Sequence, residues 1–349
     1  MPTTSIDTFF ACTIIIAAAL ISTAFLTSSL QTTISSTQDI NKESYLRAIA
    51  DHLVANPGIP PNWGTIGNVP TDFGLAANDS TIPLELDINK ISMLNQLNNY
   101  SLSYFELANA AKLNNIALGI AISQVMSINI QQSANSTVGS EISFNFTILT
   151  NINSEPAKAS LQCYIIGNSY LGNITGETSD IGIGQINLQV PSSIAGNAEL
   201  VVFARASCDD RITSYAIYNF ASSAQQSSPS NDVLTLSPLN YSLSLATNSS
   251  GVSIQGGYFL SYGTEQNLIY TQGATQCPIP KVIDKSPFVM LIYGQNNSTY
   301  FQEWTAYPQI PLKAGSNFEG SERNIYSYIV TIKDVLYKLD ISLGDIPAK

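Results

Sequence analysis

The chain is poor in charge. Of its 349 residues, 11% are Asp, Glu, Lys or Arg, less than half of the roughly 25% usual in soluble domains. Lys and Arg total 14 against 25 acids, giving a net charge of -11 and a pI near 4.4. There is no basic patch; the nearest is Lys281 and Lys285 flanking Asp284. Phosphate recognition draws on clustered cations, so nucleic acid is excluded as a partner. Histidine occurs once, at His52, and any His-based nucleophile arrangement would have to use it. The four cysteines (Cys12, Cys163, Cys208 and Cys277) are all more than five residues apart, so a structural zinc site has almost no ligands to draw on. Gly-x-Ser-x-Gly is absent. Gly182-Ile183-Gly184 leads into a strand rather than a helix, so it is no phosphate loop. The chain therefore reads as a non-enzyme without metal or cofactor.

Glycine and proline are also missing from one long stretch, residues 3–56 between Pro2 and Pro57. It contains Phe9–Leu26, "FFACTIIIAAALISTAFL", without a single charge. This segment could be a removed signal, a retained anchor or the spine of a polymer. No Lys or Arg precedes it, and Asp7 does, which does not fit a signal peptide. As a helix it is about 27 Å long, close to a bilayer core of about 30 Å. A retained anchor over about residues 8–30 is expected, with the bulk of the chain outside the cell. Tyr45, Leu46, Ile49 and Leu53 continue with helical spacing, and Asn56-Pro57-Gly58 is a stop signal. One long helix is expected over 1–55.

A linker loop and short helices are expected over 56–115. Trp63 and Phe73 pin the loop, and Leu86, Ile88, Ile91, Leu94 and Leu97 face inward from a helix over 85–97. From Ile116 the apolar period changes to two, most cleanly in "EISFNFTILTNI", with turn residues between runs. This predicts a first β-sandwich domain over 116–222. The polar, low-complexity 221–232 marks a boundary, and a second β-rich domain follows over 232–349. Lys333-Asp334 is expected to turn a hairpin over 330–340. The fold class is α+β, mostly β, with an antiparallel immunoglobulin-like sandwich in one or two units.

Asn-x-Ser/Thr sequons occur at Asn78, Asn99, Asn135, Asn145, Asn173, Asn240, Asn248, Asn296 and Asn297. Nine sequons fit a chain displayed outside the membrane and carrying N-linked glycans. In an oxidising compartment Cys163–Cys208 is the preferred disulfide, against a reading of three unpaired thiols. Asp209 and Asp210 read either as a Ca²⁺ loop or as a solvated turn. The clustered Tyr258, Tyr262, Tyr270, Tyr293, Tyr300 and Tyr307, with Trp304, read either as a stacking surface or as half-buried strand residues.

The apolar-then-amphipathic helix, together with "DHLVANPGIPPNWG", "FGLA", "LDINKISMLN", "AELVVFARASCDDRITSYAIYNF" and "IYSYIVTIKDVLYKLDISLG", resembles archaeal type IV pilin-like and archaellin-related surface proteins. The resemblance implies a membrane and assembly helix that uses Asp7, Phe9, Phe10, Ile14, Ile15, Ile16, Leu20, Phe25 and Leu26. Asp7 falls at the fifth position of a chain that begins at Thr3. It also implies an extracellular structural or adhesion protein at the cell membrane or cell surface, a filament subunit that associates with itself or with other pilin-like subunits. The alternative is a non-polymerising glycan- or solute-binding protein on a single anchor.

Overall fold

The computed structural model describes residues 20–23, 25, 42–66, 68–113, 115–138, 140–167, 170–192, 197–221, 233–281, 287–297, 299–318 and 322–345. The chain forms two units, Met1–Asp51 and His52–Lys349. In the first, residues 20–23, 25 and 42–51 are helical. Most of the expected anchor, including Asp7, Phe9, Phe10, Ile14, Ile15, Ile16 and Leu26, lies outside the described residues. Among the described residues no helix is long and apolar enough to cross a membrane.

The second unit starts with helical residues 52–55 and the linker, which carries short helices at Trp63–Ile66, Ile88–Ser92 and Tyr104–Ala110. Local chemistry sets their starts. The Asp87 carboxylate accepts from the Asn89 and Lys90 N–H groups, and Ser103 forms a capping box with Glu106. The helix expected over 85–97 is thus only five residues long. Leu97, beyond its end, is 77% exposed rather than inward.

The rest is β: β1 (Ile116–Gln124), β2 (Met126–Val138), β3 (Glu141–Ile152), β4 (Glu155–Pro156), β5 (Ala159–Gly167), β6 (Tyr170–Glu177), β7 (Ile183–Pro191), β8 (Asn197–Ala206), β9 (Thr213–Ala221), β10 (Leu234–Leu239), β11 (Ser242–Thr247), β12 (Val252–Ser261), β13 (Thr264–Asn267), β14 (Gln276–Pro278), β15 (Phe288–Asn296), β16 (Thr299–Tyr307), β17 (Leu312–Gly315), β18 (Arg323–Ile332) and β19 (Val335–Asp345). They form five antiparallel sheets. An outer sheet sets β3 between β2 and β7, with β4 also on β3; a central sheet runs β6-β5-β8-β9. A facing sheet runs β13-β12-β15-β16, a small sheet β10-β11-β14, and a C-terminal sheet β17-β1-β19-β18.

Two cores share the central sheet. Phe144, Phe146, Ile186 and Leu188 of the outer sheet pack on Leu161, Cys163, Leu200 and Val202 of the central one. The opposite face of the central sheet presents Tyr164, Ile166, Val201 and Phe203 to Leu260, Val289 and Leu291 of the facing sheet. Successive strand residues point to opposite faces, so β5 and β8 are apolar at consecutive positions because both faces are covered.

The sheets cross the boundary expected at 221–232. β1 pairs with β19 from Ile116↔Asp345 to Gln124↔Tyr337, and the central sheet packs on the facing sheet. The alternating pattern that begins at Ile116 does not stay in one strand. It breaks at Val125, and its halves join different sheets. The expected hairpin is present: Ile332 pairs with Val335, and Lys333 and Asp334 turn at φ of 48° and 64°.

Candidate functional site

Three constructions hold unusual chemistry. The first is in the linker. Lys90 is fully buried, and its Nζ donates to the carbonyls of Pro57 and Ala76, each at 2.7 Å. The ammonium also lies 5.8 Å from the Trp63 ring centroid. Burial pulls its pKa down to about 8, with the Asp87 carboxylate working against that shift. One residue earlier, the buried Asn89 Oδ1 accepts from the Asn240 N–H and the Tyr307 hydroxyl. Asn98 Nδ2 donates to Pro238 O and Gln309 Oε1. These amides tie the linker to the strands from β10 onward.

The second lies on β16, where Gln302 and Glu303 are adjacent and point opposite ways. Gln302 Nε2 donates to Glu199 Oε2 of β8 at 3.2 Å. The Glu303 carboxylate accepts the Val233 and Leu234 N–H groups at 2.6 and 2.9 Å. Burial pushes the Glu199 carboxyl up to about 8; the bond from Gln302 opposes this, and the nearby Glu303 charge adds to it. Glu199 is therefore a neutral acid near pH 7. Both carboxyls are buried, so the arrangement acts as a clamp between the central sheet, the facing sheet and β10 rather than as a site open to substrate.

The third is a half-open cleft of about 280 Å³ between the edges of β6 and β7. Ile165, Ile174 and Leu188 line it, with Tyr170, Asn173, Asn187 and Gln189. Beside it, Ser143 Oγ donates to Asn187 Oδ1 and Asn187 Nδ2 donates to Asn145 Oδ1.

The residues singled out in the sequence fall elsewhere. Seven sequon asparagines (Asn78, Asn99, Asn135, Asn173, Asn240, Asn248 and Asn297) are exposed, while Asn145 and Asn296 are half-buried. Leu20 and Phe25 are helical and exposed. The Cys163–Cys208 disulfide is not formed; both thiols are free, as is Cys277. Cys163 sits in the first core, paired with Val202, whereas Cys208 is exposed beyond the end of β8. Their strand positions separate them far more than the roughly 7 Å a disulfide tolerates between Cα atoms. His52 is half exposed, with Nε2 3.7 Å from Asp72. The Asp209 carboxylate is held by Arg211 at 2.7 Å, as in a closed turn. Of the tyrosine cluster, Tyr307 and Tyr258 are buried, the latter stacked on Tyr293 at 5.5 Å, while Tyr262, Tyr270, Tyr293 and Tyr300 are half-buried and Trp304 is exposed.

Sequence reasoning missed Lys90, Glu199 and the Gln302–Glu303 pair. The available signal was a charge inside an apolar run, as in "AELVVF", because an acid there must be neutralised or paired.

No protein-family model matches the chain, and no curated protein matches it. Among solved structures, the chain is similar to wild-type OgpA from Akkermansia muciniphila at TM-score 0.20 and 10% identity, over 41% of this chain and 38% of that one. It is similar to red sea bream transglutaminase at TM-score 0.20 and 10% identity, over 52% and 31%. HBP35 of Porphyromonas gingivalis gives 0.19 and 9%, over 56% and 64%. The chain thus spans less than two thirds of the length of each.

Proposed function

We propose that the chain is a pilin-like, N-terminally anchored extracellular protein with a structural or adhesive role, displaying an immunoglobulin-like sandwich. In this reading the apolar segment Phe9–Leu26 opens one long helix. That helix holds the chain in the membrane and packs against other subunits in a filament. The observation that carries the reading is the placement of the sequons, seven of nine on exposed residues. On a surface this poor in charge, attached glycans supply solubility. The immunoglobulin-like part is supported by strand order: β2-β3-β7 packs on β6-β5-β8-β9, with the chain crossing between sheets after β4, β6 and β7. The amide-lined cleft between β6 and β7 favours the second reading, a neutral glycan or solute bound by a chain that does not polymerise.

Peptide mapping of protease-treated intact cells tests the location. Peptides from 52–345 should be released without lysis, with hexose-bearing Asn residues among the exposed sequons. Release only after lysis overturns the reading. Electron microscopy of cells lacking the gene then separates the two roles: filaments disappear if the chain is a subunit and persist if it is a solitary binder.

A further inference from the structure

Strand edges are where a β protein meets other chains, because their N–H and C=O groups are unpaired. Nearly every edge in this protein is blunted. β2 carries a register shift between Gln132 and Ala134 and the sequon at Asn135. β6 contains Gly172, Gly176 and the sequon at Asn173, and β7 contains Gly184 and ends at Pro191. β13 and β17 are four residues long and carry Glu265 and Lys313. β9 abuts β2, and β16 is covered by β10. Among the described residues, β18 has none of these devices before Thr331, where Leu84–Leu86 lies on its edge. It ends its sheet and pairs with β19 over ten residues without a register shift; between Arg323 and Lys333 it has no charge, Gly or Pro.

The open groups on β18 can be assigned. The Thr331 N–H donates to Leu84 O at 3.1 Å, and Thr331 O accepts from the Leu86 N–H at 2.8 Å. Thr331 therefore turns its backbone away from β19. Strand alternation turns Ile329, Ser327 and Ile325 the same way. Ile325 and Ile329 are 51% and 55% exposed, and Ser327 is exposed.

We propose that two copies of this chain pair antiparallel through β18, about a two-fold axis at Ser327. The sequence Ile325-Tyr326-Ser327-Tyr328-Ile329 reads the same in both directions. Antiparallel pairing centred on Ser327 sets Ile325 against Ile329 of the second copy and Tyr326 against Tyr328 of the second copy, each twice. That is the self-complementarity of an isologous contact. The outward residues supply about six backbone hydrogen bonds. Leu84–Leu86 occupies the edge at Thr331 and ends the ladder there. At that end Arg323 of one copy arrives beside Glu85 of the other, so opposite charges meet at both ends. Sequon placement agrees. The other four sheets each carry or border a sequon, and β1, β17, β18 and β19 carry none. Only this last point rests on the proposed surface location; the pairing itself does not.

The test is disulfide trapping of the full chain in detergent micelles. Ser327→Cys should give an oxidised dimer on a non-reducing gel well above the wild-type level. Ser179→Cys, on an exposed turn, should give no more dimer than wild type. Adding Ile329→Lys, a charge on an exposed edge position, should lower the Ser327→Cys dimer about tenfold. An association made elsewhere in the chain would act on Ser327→Cys equally with or without Ile329→Lys, so it does not produce this pattern. Ser327→Cys dimer no greater than that of Ser179→Cys, or unchanged by Ile329→Lys, overturns the proposal and leaves the edge for a strand of another protein. A failure to reach the cell surface would overturn the proposed function without touching this result.

Discussion

β7 and β8 follow one another in the chain and read quite differently. In β7, Ile183–Pro191, buried Gly184, Ile186, Leu188 and Val190 alternate with exposed Ile183, Gln185, Asn187 and Gln189. In β8, every position from Ala198 to Ala204 is buried. The difference comes from what lies above each sheet. The outer sheet has one face on the first core and the other in solvent, whereas the central sheet is covered on both sides. A strand buried on two faces gains apolar burial at every residue, and it loses the option of carrying a charge cheaply. Glu199 is the exception in β8, and it is held by Gln302.

The comparison breaks most sharply at Phe203. Its ring lies on the second face of the central sheet, 6.1 Å from Tyr164 and 6.3 Å from Tyr215 between ring centroids. If that face is core, Phe203→Ala should cost about 3–5 kcal/mol, read as a lowered denaturant midpoint at unchanged slope. A loss below about 1 kcal/mol would mean the facing sheet merely rests on the central one.

Glu199 sharpens the comparison through pH. Its carboxyl is held at about 8 in the folded chain against an ordinary value of 4.5. A carboxyl raised on folding contributes its full stability below about pH 4.5. That contribution falls as pH climbs through the folded value and is gone above it. Glu199→Gln keeps an acceptor for Gln302 and has no proton to lose. It should therefore match the wild type near pH 4.5 and exceed it at pH 9 by up to about 5 kcal/mol, measured by denaturation at the two pH values. Equal pH profiles for the two proteins would show that Glu199 is not enclosed by the facing sheet.

How much of this was legible depends on the range of the interaction involved. Alternation in β3 and the turn at Lys333-Asp334 are local properties, and both read directly. Runs such as "AELVVFARA" announced a strand, but burial on one face or two depends on a sheet formed by residues some sixty to a hundred positions later. The break at Val125 was hidden for the same reason. β1 and β2 are continuous in apolar pattern and diverge because β1 finds β19 and β2 finds β3. Cys163 and Cys208 looked like neighbours because their strands pair, but register places one mid-strand in the core and the other past a strand end. At the clamp, Glu199 could be flagged as a charge in an apolar run, whereas its partner Gln302 could not, being one amide among many in an Asn/Gln-rich chain.

The smallest expected effect lies on the solvent face of the outer sheet. Asn187 accepts from Ser143 Oγ at 3.2 Å and donates to Asn145 Oδ1 at 2.6 Å, linking β3 and β7 outside the core. Two side-chain hydrogen bonds invite the expectation of a large contribution, but all three residues are open to water, which replaces each bond when it is lost. Removing one partner strands no buried group, unlike the loss of Gln302 from Glu199. Asn187→Ala should therefore cost below about 1 kcal/mol. A loss matching that of Phe203→Ala would show that the outer sheet is covered on both faces, and the contrast between β7 and β8 would then need a different cause.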